Sequence, residues 1–140
     1  MSNIERFGVS VDGRLLDRFD ERNHIMGYSN RSEAIRDLIR DSLVKSKHWV
    51  EDDASVVGTV TLIYDHHSRD LTEKLNHIQH HHEEMVICSL HVHLDEDNCL
   101  EVVVLRGMGK QVKEIAHHLI AQKGVKHGKA TLTTGGEDLW

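Results

Sequence analysis

Two cysteines in 140 residues are too few for the disulfide framework of a secreted domain, so a reducing compartment is expected. No apolar run approaches the roughly 20 residues that span a bilayer. The opening stretch MSNIERFGVS holds no signal-peptide core. A cytoplasmic protein with no membrane partner is the expectation. Positive charge is not in excess either: 17 Lys and Arg face 23 Asp and Glu, a formal charge of −6, which argues against a generally basic nucleic-acid binder. At 39% hydrophobic and 29% charged, the composition is that of a globular chain rather than a disordered one. What the chain has in abundance is histidine, with 13 residues.

The charge is unevenly placed. Positions 1–50 carry +1 and positions 51–140 carry −7, and 11 of the 13 His lie in the second part. This asymmetry predicts two modules, 1–50 and 51–140, the first tolerant of a polyanion and the second built around cation or proton chemistry. The boundary is expected in the polar stretch KSKHWVEDDAS, residues 45–55, which has no clear helical or strand period.

In the first module, residues 4–11 alternate: Phe7, Val9 and Val11 face one way, Arg6, Gly8 and Ser10 the other. Asp12 is placed to cap a helix carrying Leu15, Leu16 and Phe19, followed by a loop over 24–29 that contains Gly27. Asn30-Arg31-Ser32-Glu33 then resembles a capping box, opening a helix with Ile35, Leu38, Ile39 and Leu43 on one stripe. One strand cannot stand alone, because its backbone groups need a partner. The economical solution is a dimer whose paired strands bury Phe7, Val9 and Val11 and turn Arg6, Gly8 and Ser10 outward. Such a ribbon fits the major groove of double-stranded DNA, and the helix start at Asn30, Arg31 and Ser32 is a phosphate clamp. A plain dimerisation domain with a wet outer face accounts for the same pattern.

The second module reads as βαββαβ: a strand over 56–64, a helix from 69 to about 82, strands over 87–94 and 99–105, a helix over 109–123 with Gly124 as its cap, and a strand over 125–133. That order predicts an α+β, ferredoxin-like split sheet with both helices on one face. A hairpin pairing His93 with Cys99 through an odd loop, residues 94–98, sets His91 opposite Glu101 and brings His91, His93 and Cys99 to one side. Val92, Leu100, Val102 and Val104 are expected to cover the helices, which leaves the His/Cys side open and makes Cys88 a buried, inert thiol. His80 falls roughly opposite the apolar stripe of its own helix, Leu71, Leu75 and Ile78, and so suits a neighbouring chain's site better than its own. Three imidazoles and a thiolate suit Ni(II) or Cu(II) in a planar site and Zn(II) or Co(II) in a tetrahedral one.

The segments NRSEAIRDLIR (30–40), QHHHEE (79–84), SLHVHLDEDNCLEVVVLRG (89–107) and GVKHGK (124–129) together resemble the nickel-responsive regulators of the NikR type, within the ribbon-helix-helix repressors. The resemblance implies an N-terminal ribbon-helix-helix DNA-binding domain and a C-terminal ACT-like domain, assembled as a homotetramer, a dimer of dimers. It implies one Ni(II) per subunit, held by His91, His93 and Cys99 of one chain and His80 of another, with Glu101 close by. It places Arg6, Gly8 and Ser10 at the base-reading positions, where relatives carry threonine in place of Gly8 and Ser10. Arg69, in a segment 66–70, would touch the DNA backbone, with Ser68 standing where a lysine is familiar. Glu33 and Asp37 match a secondary cation site, and like charges four apart on a helix are a repulsion that a cation relieves.

The reading is therefore a nickel-dependent repressor of nickel-uptake genes that binds an inverted-repeat operator and carries no catalytic residues. A nickel- or copper-handling metallochaperone with a merely dimerising head is the alternative, and a gel shift on its own promoter discriminates. A metal-assisted hydrolase is disfavoured, since four protein ligands leave no open position for substrate.

Overall fold

A computed structural model describes residues 3–50, 53–137 and 139. They separate into two compact units, one ending at Leu43 and one spanning Val44–Glu137.

In the first unit, helix α1 (Gly13–Met26) starts where Asp12 accepts a hydrogen bond from the Arg14 N–H at 2.9 Å. It stops at Gly27, whose φ of 82° lets its N–H reach back to the Asn23 and His24 carbonyls. The helix thus takes in three residues, His24, Ile25 and Met26, that the sequence reading assigned to a loop. Helix α2 (Arg31–Val50) opens on Asn30, whose Oδ1 accepts the Glu33 N–H at 3.0 Å.

One expectation for this region needs correction, and another concerns a second copy of the chain. Residues 4–11 belong to no strand within the single chain, and Phe7 is 69% exposed. A ladder requires a second strand, and among the described residues none lies alongside. The expected non-periodic linker does not begin at Lys45, because α2 runs on to Val50. No proline or glycine stands between Gly27 and Gly58 to break it. Residues 51 and 52, the middle of that linker, lie outside the described residues.

The second unit holds strands β1 (Ser55–Asp65), β2 (Val86–His93), β3 (Asn98–Met108) and β4 (Val125–Thr133), with helices α3 (Arg69–His81) and α4 (Gly109–Ile120) between them. The strands form one sheet in the order β2-β3-β1-β4, every pair antiparallel. The core lies between this sheet and the helices: Val56, Val60, Leu62, Tyr64, Val103 and Leu105 pack with Leu71, Leu75, Val112, Ile115 and Leu119. Helix α4 ends at Ile120, three residues short of expectation, with Ala121 as its cap. Gly124 instead turns the chain into β4 at φ 103°.

The covered face is the one the sequence reading left open. Cys99, Glu101, Val103 and Leu105 face the helices and are fully buried, while Leu100, Val102 and Val104 are only partly covered. Both parities of β3 are apolar, so alternation within the β2–β3 hairpin cannot orient it. β1 orients it. Its larger apolar residues Val60, Leu62 and Tyr64 pair with Val103, Glu101 and Cys99, whereas Thr59 and Thr61 pair with Val104 and Val102. Cys88 keeps the hairpin register, opposite Val104 on the uncovered face, and its thiol is exposed rather than buried; the register shifts only before it, between Val86 and Cys88.

Gly58 keeps α4 close to β1. A Cβ there would stand 2.8 Å from Val112 Cγ1, a buried branched side chain that cannot withdraw. Gly58→Ala is expected to lower stability by about 1–3 kcal/mol, seen as an earlier midpoint in urea unfolding with an unchanged slope.

Candidate metal centre

The site grows from the β2–β3 hairpin. Leu94 and Asp95 each donate a backbone hydrogen bond to the Asn98 carbonyl, and Asp95 Oδ1 accepts from the Asp97 and Asn98 N–H groups. This closed turn fixes a register in which His91 pairs with Glu101 and His93 with Cys99. The four side chains therefore share one side of the sheet. β2 is an edge strand, exposed from Ile87 to His93, so the two histidines reach water while Cys99 and Glu101 lie under the helices.

Glu101 organises the interior. At 0% exposure, it accepts from the Tyr64 hydroxyl at 2.8 Å and from Gln79 Nε2 at 3.0 Å, and its Oε1 lies 3.0 Å from His91 Nε2. A buried carboxylate surrounded by donors in this way is satisfied without a cation. It also orients His91: with Nε2–H directed at Glu101, Nδ1 keeps its lone pair. Burial, and then the hydrogen bond to Glu101, push the Tyr64 phenol far above its ordinary range, so it remains a donor. Burial likewise pushes the Cys99 thiol up; the Tyr64 hydroxyl opposes this, and the charges of Glu101 and Asp65 add to it. The thiol therefore holds its proton at neutral pH until a cation takes its place.

The expected ligands share a side without converging. His91 is turned to Glu101, and His93 stacks on His66 with ring centroids 4.9 Å apart. Among the described residues, no three His, Cys, Asp or Glu side chains of the chain already stand together as a metal site. His80 is 86% exposed near the end of α3, its Nδ1 3.9 Å from Glu83. Its neighbour Gln79 is the residue that turns inward, to Glu101. Sequence reasoning missed Tyr64, Gln79 and His66. The first two were legible in principle, from the β1–β3 register and from the helical position beside the Leu75 and Ile78 stripe. His66 was not, because its ring is placed by a loop contact: Nε2 lies 2.6 Å from the Glu96 carbonyl oxygen.

The segment 66–70 is a two-residue turn leading into α3, which starts at Arg69, an exposed residue. In the first unit, Arg6, Gly8, Ser10 and Ser32 are exposed. Asn30 is engaged as the cap of α2, and Arg31 forks onto Asp20 with bonds of 2.9 and 2.7 Å. Asp37 already accepts from the Tyr28 hydroxyl and from Arg40, each at 2.7 Å. Arg40 thus sets a positive charge beside the Glu33–Asp37 pair.

Residues 57–133 match the family described as the NikR C terminal nickel binding domain. The chain belongs to the NikR family. Over 139 residues it is 58% identical to a protein of Geobacter sulfurreducens and 55% identical to proteins of Nitratidesulfovibrio vulgaris and Solibacter usitatus, all provisionally named nickel-responsive regulators. Each comparison covers 99% of both chains. The NikR match takes in nearly all of the sheet, with His80, His91, His93, Cys99 and Glu101 inside it. Arg6, Gly8, Ser10 and the start of α2 lie outside that match but within the full-length similarity to the relatives. No helix of the described residues is long and apolar enough to cross a membrane.

Proposed function

We propose that the chain is a nickel-responsive, DNA-binding transcriptional regulator that represses nickel-uptake genes. The observation that carries the reading is the hairpin register, which sets His91 and His93 directly over Glu101 and Cys99. Two imidazoles and a thiol, one ring held by a buried carboxylate, are a donor set that fits Ni(II). His80 of a second chain completes the set, one ion per chain. Bound there, the ion supplies positive charge and a link between two polypeptides.

The head, residues 1–50, is read as a ribbon-helix-helix dimer in which two copies of residues 4–11 pair and cover Phe7, Val9 and Val11. Residues 51–140 are read as a ferredoxin-like, ACT-like domain, a reading supported by the strand order β2-β3-β1-β4. The sheet face left uncovered by its own helices, with Leu90 60% exposed beside Val92, Val102 and Val104, is suited to pairing with a second domain. Head dimers and paired domains together give a homotetramer.

Because the shared site exists only in the assembled form, metal binding and operator binding draw on one equilibrium. Operator DNA then tightens nickel binding by the factor by which nickel tightens operator binding. Footprinting over the promoter of its own operon, with and without Ni(II), tests the reading. Protection of an inverted repeat with nickel alone is expected, and protection indifferent to nickel overturns it. Arg6→Ala is expected to lose operator selectivity, by about 1–3 kcal/mol per base contact, while nickel stoichiometry and assembly stay as they were.

A further inference from the structure

We infer that α3 carries a second metal site, a clip of His77 and His81 that takes one borderline divalent cation of the copper, nickel and zinc class. The inward stripe of α3 is Leu71, Leu75 and Ile78, with Gln79 beside it, all buried. His77 and His81 are exposed, stand one helical turn apart and are adjacent on the surface. Their rings are within 29° of parallel, with centroids 6.0 Å apart. Two imidazoles held side by side on one ion, with bonds of about 2.1 Å, need centroids about 5 Å apart. Side-chain torsions close that difference with the helix backbone unmoved. Two histidines four apart on a helix are a general chelate for such ions.

The surroundings favour a cation. Among the described residues neither ring has a carboxylate partner that an ion must displace. Glu73 lies one turn before His77 on the same face, and the Lys74 ammonium is held by Asp70 at 3.1 Å. The His82 ring stands 5.4 Å from His81 at 89°, within the same cluster, and water would complete the coordination. With two protein ligands against four, the clip binds more weakly than the shared nickel centre.

Its place in the fold gives it a consequence, which rests on the reading of His80 as a ligand. His81 is the last residue of α3; past it the His82 N–H reaches the Gln79 carbonyl at 3.2 Å, and the His82 carbonyl accepts from the Met85 and Val86 N–H groups at 2.9 and 3.0 Å, so the chain turns away and the helix does not continue. Fastening residue 77 to residue 81 holds the last turn closed, and that turn carries His80. Occupancy of the clip therefore favours the conformation from which His80 reaches a second chain, and the two sites assist each other.

The test is titration of the full-length chain with Cu(II) or Ni(II) alone, in wild type, His77→Asn and Cys99→Ala. Both equivalents are expected in wild type. In His77→Asn the weaker phase should lose about tenfold or more in affinity with the tight phase intact, and in Cys99→Ala the weaker phase should survive. With Cys99→Ala, loading the weaker phase should slow amide hydrogen exchange at residues 78–81. A weaker phase unaffected by His77→Asn, or exchange unchanged by loading, overturns the clip. A tight phase unaffected by Cys99→Ala overturns the nickel centre instead, and leaves the clip standing.

Discussion

Cys99→Ala is expected to abolish stoichiometric nickel binding near neutral pH. Loss of a group that merely orients a ligand costs roughly 10–100-fold in metal affinity, and loss of the ligand itself costs at least as much. The thiol is the donor that most distinguishes this site from a cluster of surface histidines. Of the four proposed ligands it alone is buried, at the position where β3 passes beneath His93. His91→Ala, His93→Ala and His80→Gln are expected to fail in the same way. The His93 and His80 side chains are exposed and make no bond to Glu101, so those two serve as controls in which the buried network is untouched. Equilibrium dialysis with metal analysis measures the effect. One equivalent of nickel retained by Cys99→Ala at unchanged affinity would remove the thiolate from the site.

Val104→Asp is expected to break the proposed tetramer. In the single chain Val104 lies half-exposed on the uncovered face, opposite Cys88, so a carboxylate there is tolerated by the fold. In a domain pair the same carboxylate would be taken out of water among Leu90, Val92 and Val102. An ionised group buried without a partner carries a penalty of several kcal/mol, and a two-fold interface presents it twice. Sedimentation should show smaller species with circular dichroism unchanged, and nickel affinity should fall with them, because the shared site needs both chains. A tetramer that persists in Val104→Asp would move the assembly to another face.

These two variants also mark where the sequence was legible and where it was not. Element positions followed from period and caps: Asp12 and Asn30 cap their helices, and β4 spans the residues expected of it. The hairpin register followed from the parity of an odd loop. What failed was the choice of face. Val102 and Val104 are as apolar as Val103 and Leu105, and the decision was held by Thr59 and Thr61 on β1, which a reading confined to the hairpin did not consult. Cys88 failed with it, since by parity it shares the face of Leu90 and Val92, opposite Val104. Residues 4–11 show the limit of a single chain. Their alternation describes a surface that only a second copy can complete.

The fork between Arg31 and Asp20 changes how the salt dependence of DNA binding should be counted. A free arginine that meets a phosphate releases the cation condensed there, and each such contact steepens the logarithmic slope by about 0.9. Arg31 does not start free. When it turns to a phosphate it leaves a bare carboxylate behind, and that carboxylate gathers a cation of its own. The exchange is nearly neutral in ions, so a slope forecast from the number of basic side chains near the groove will run too steep by close to one contact for each copy of this helix.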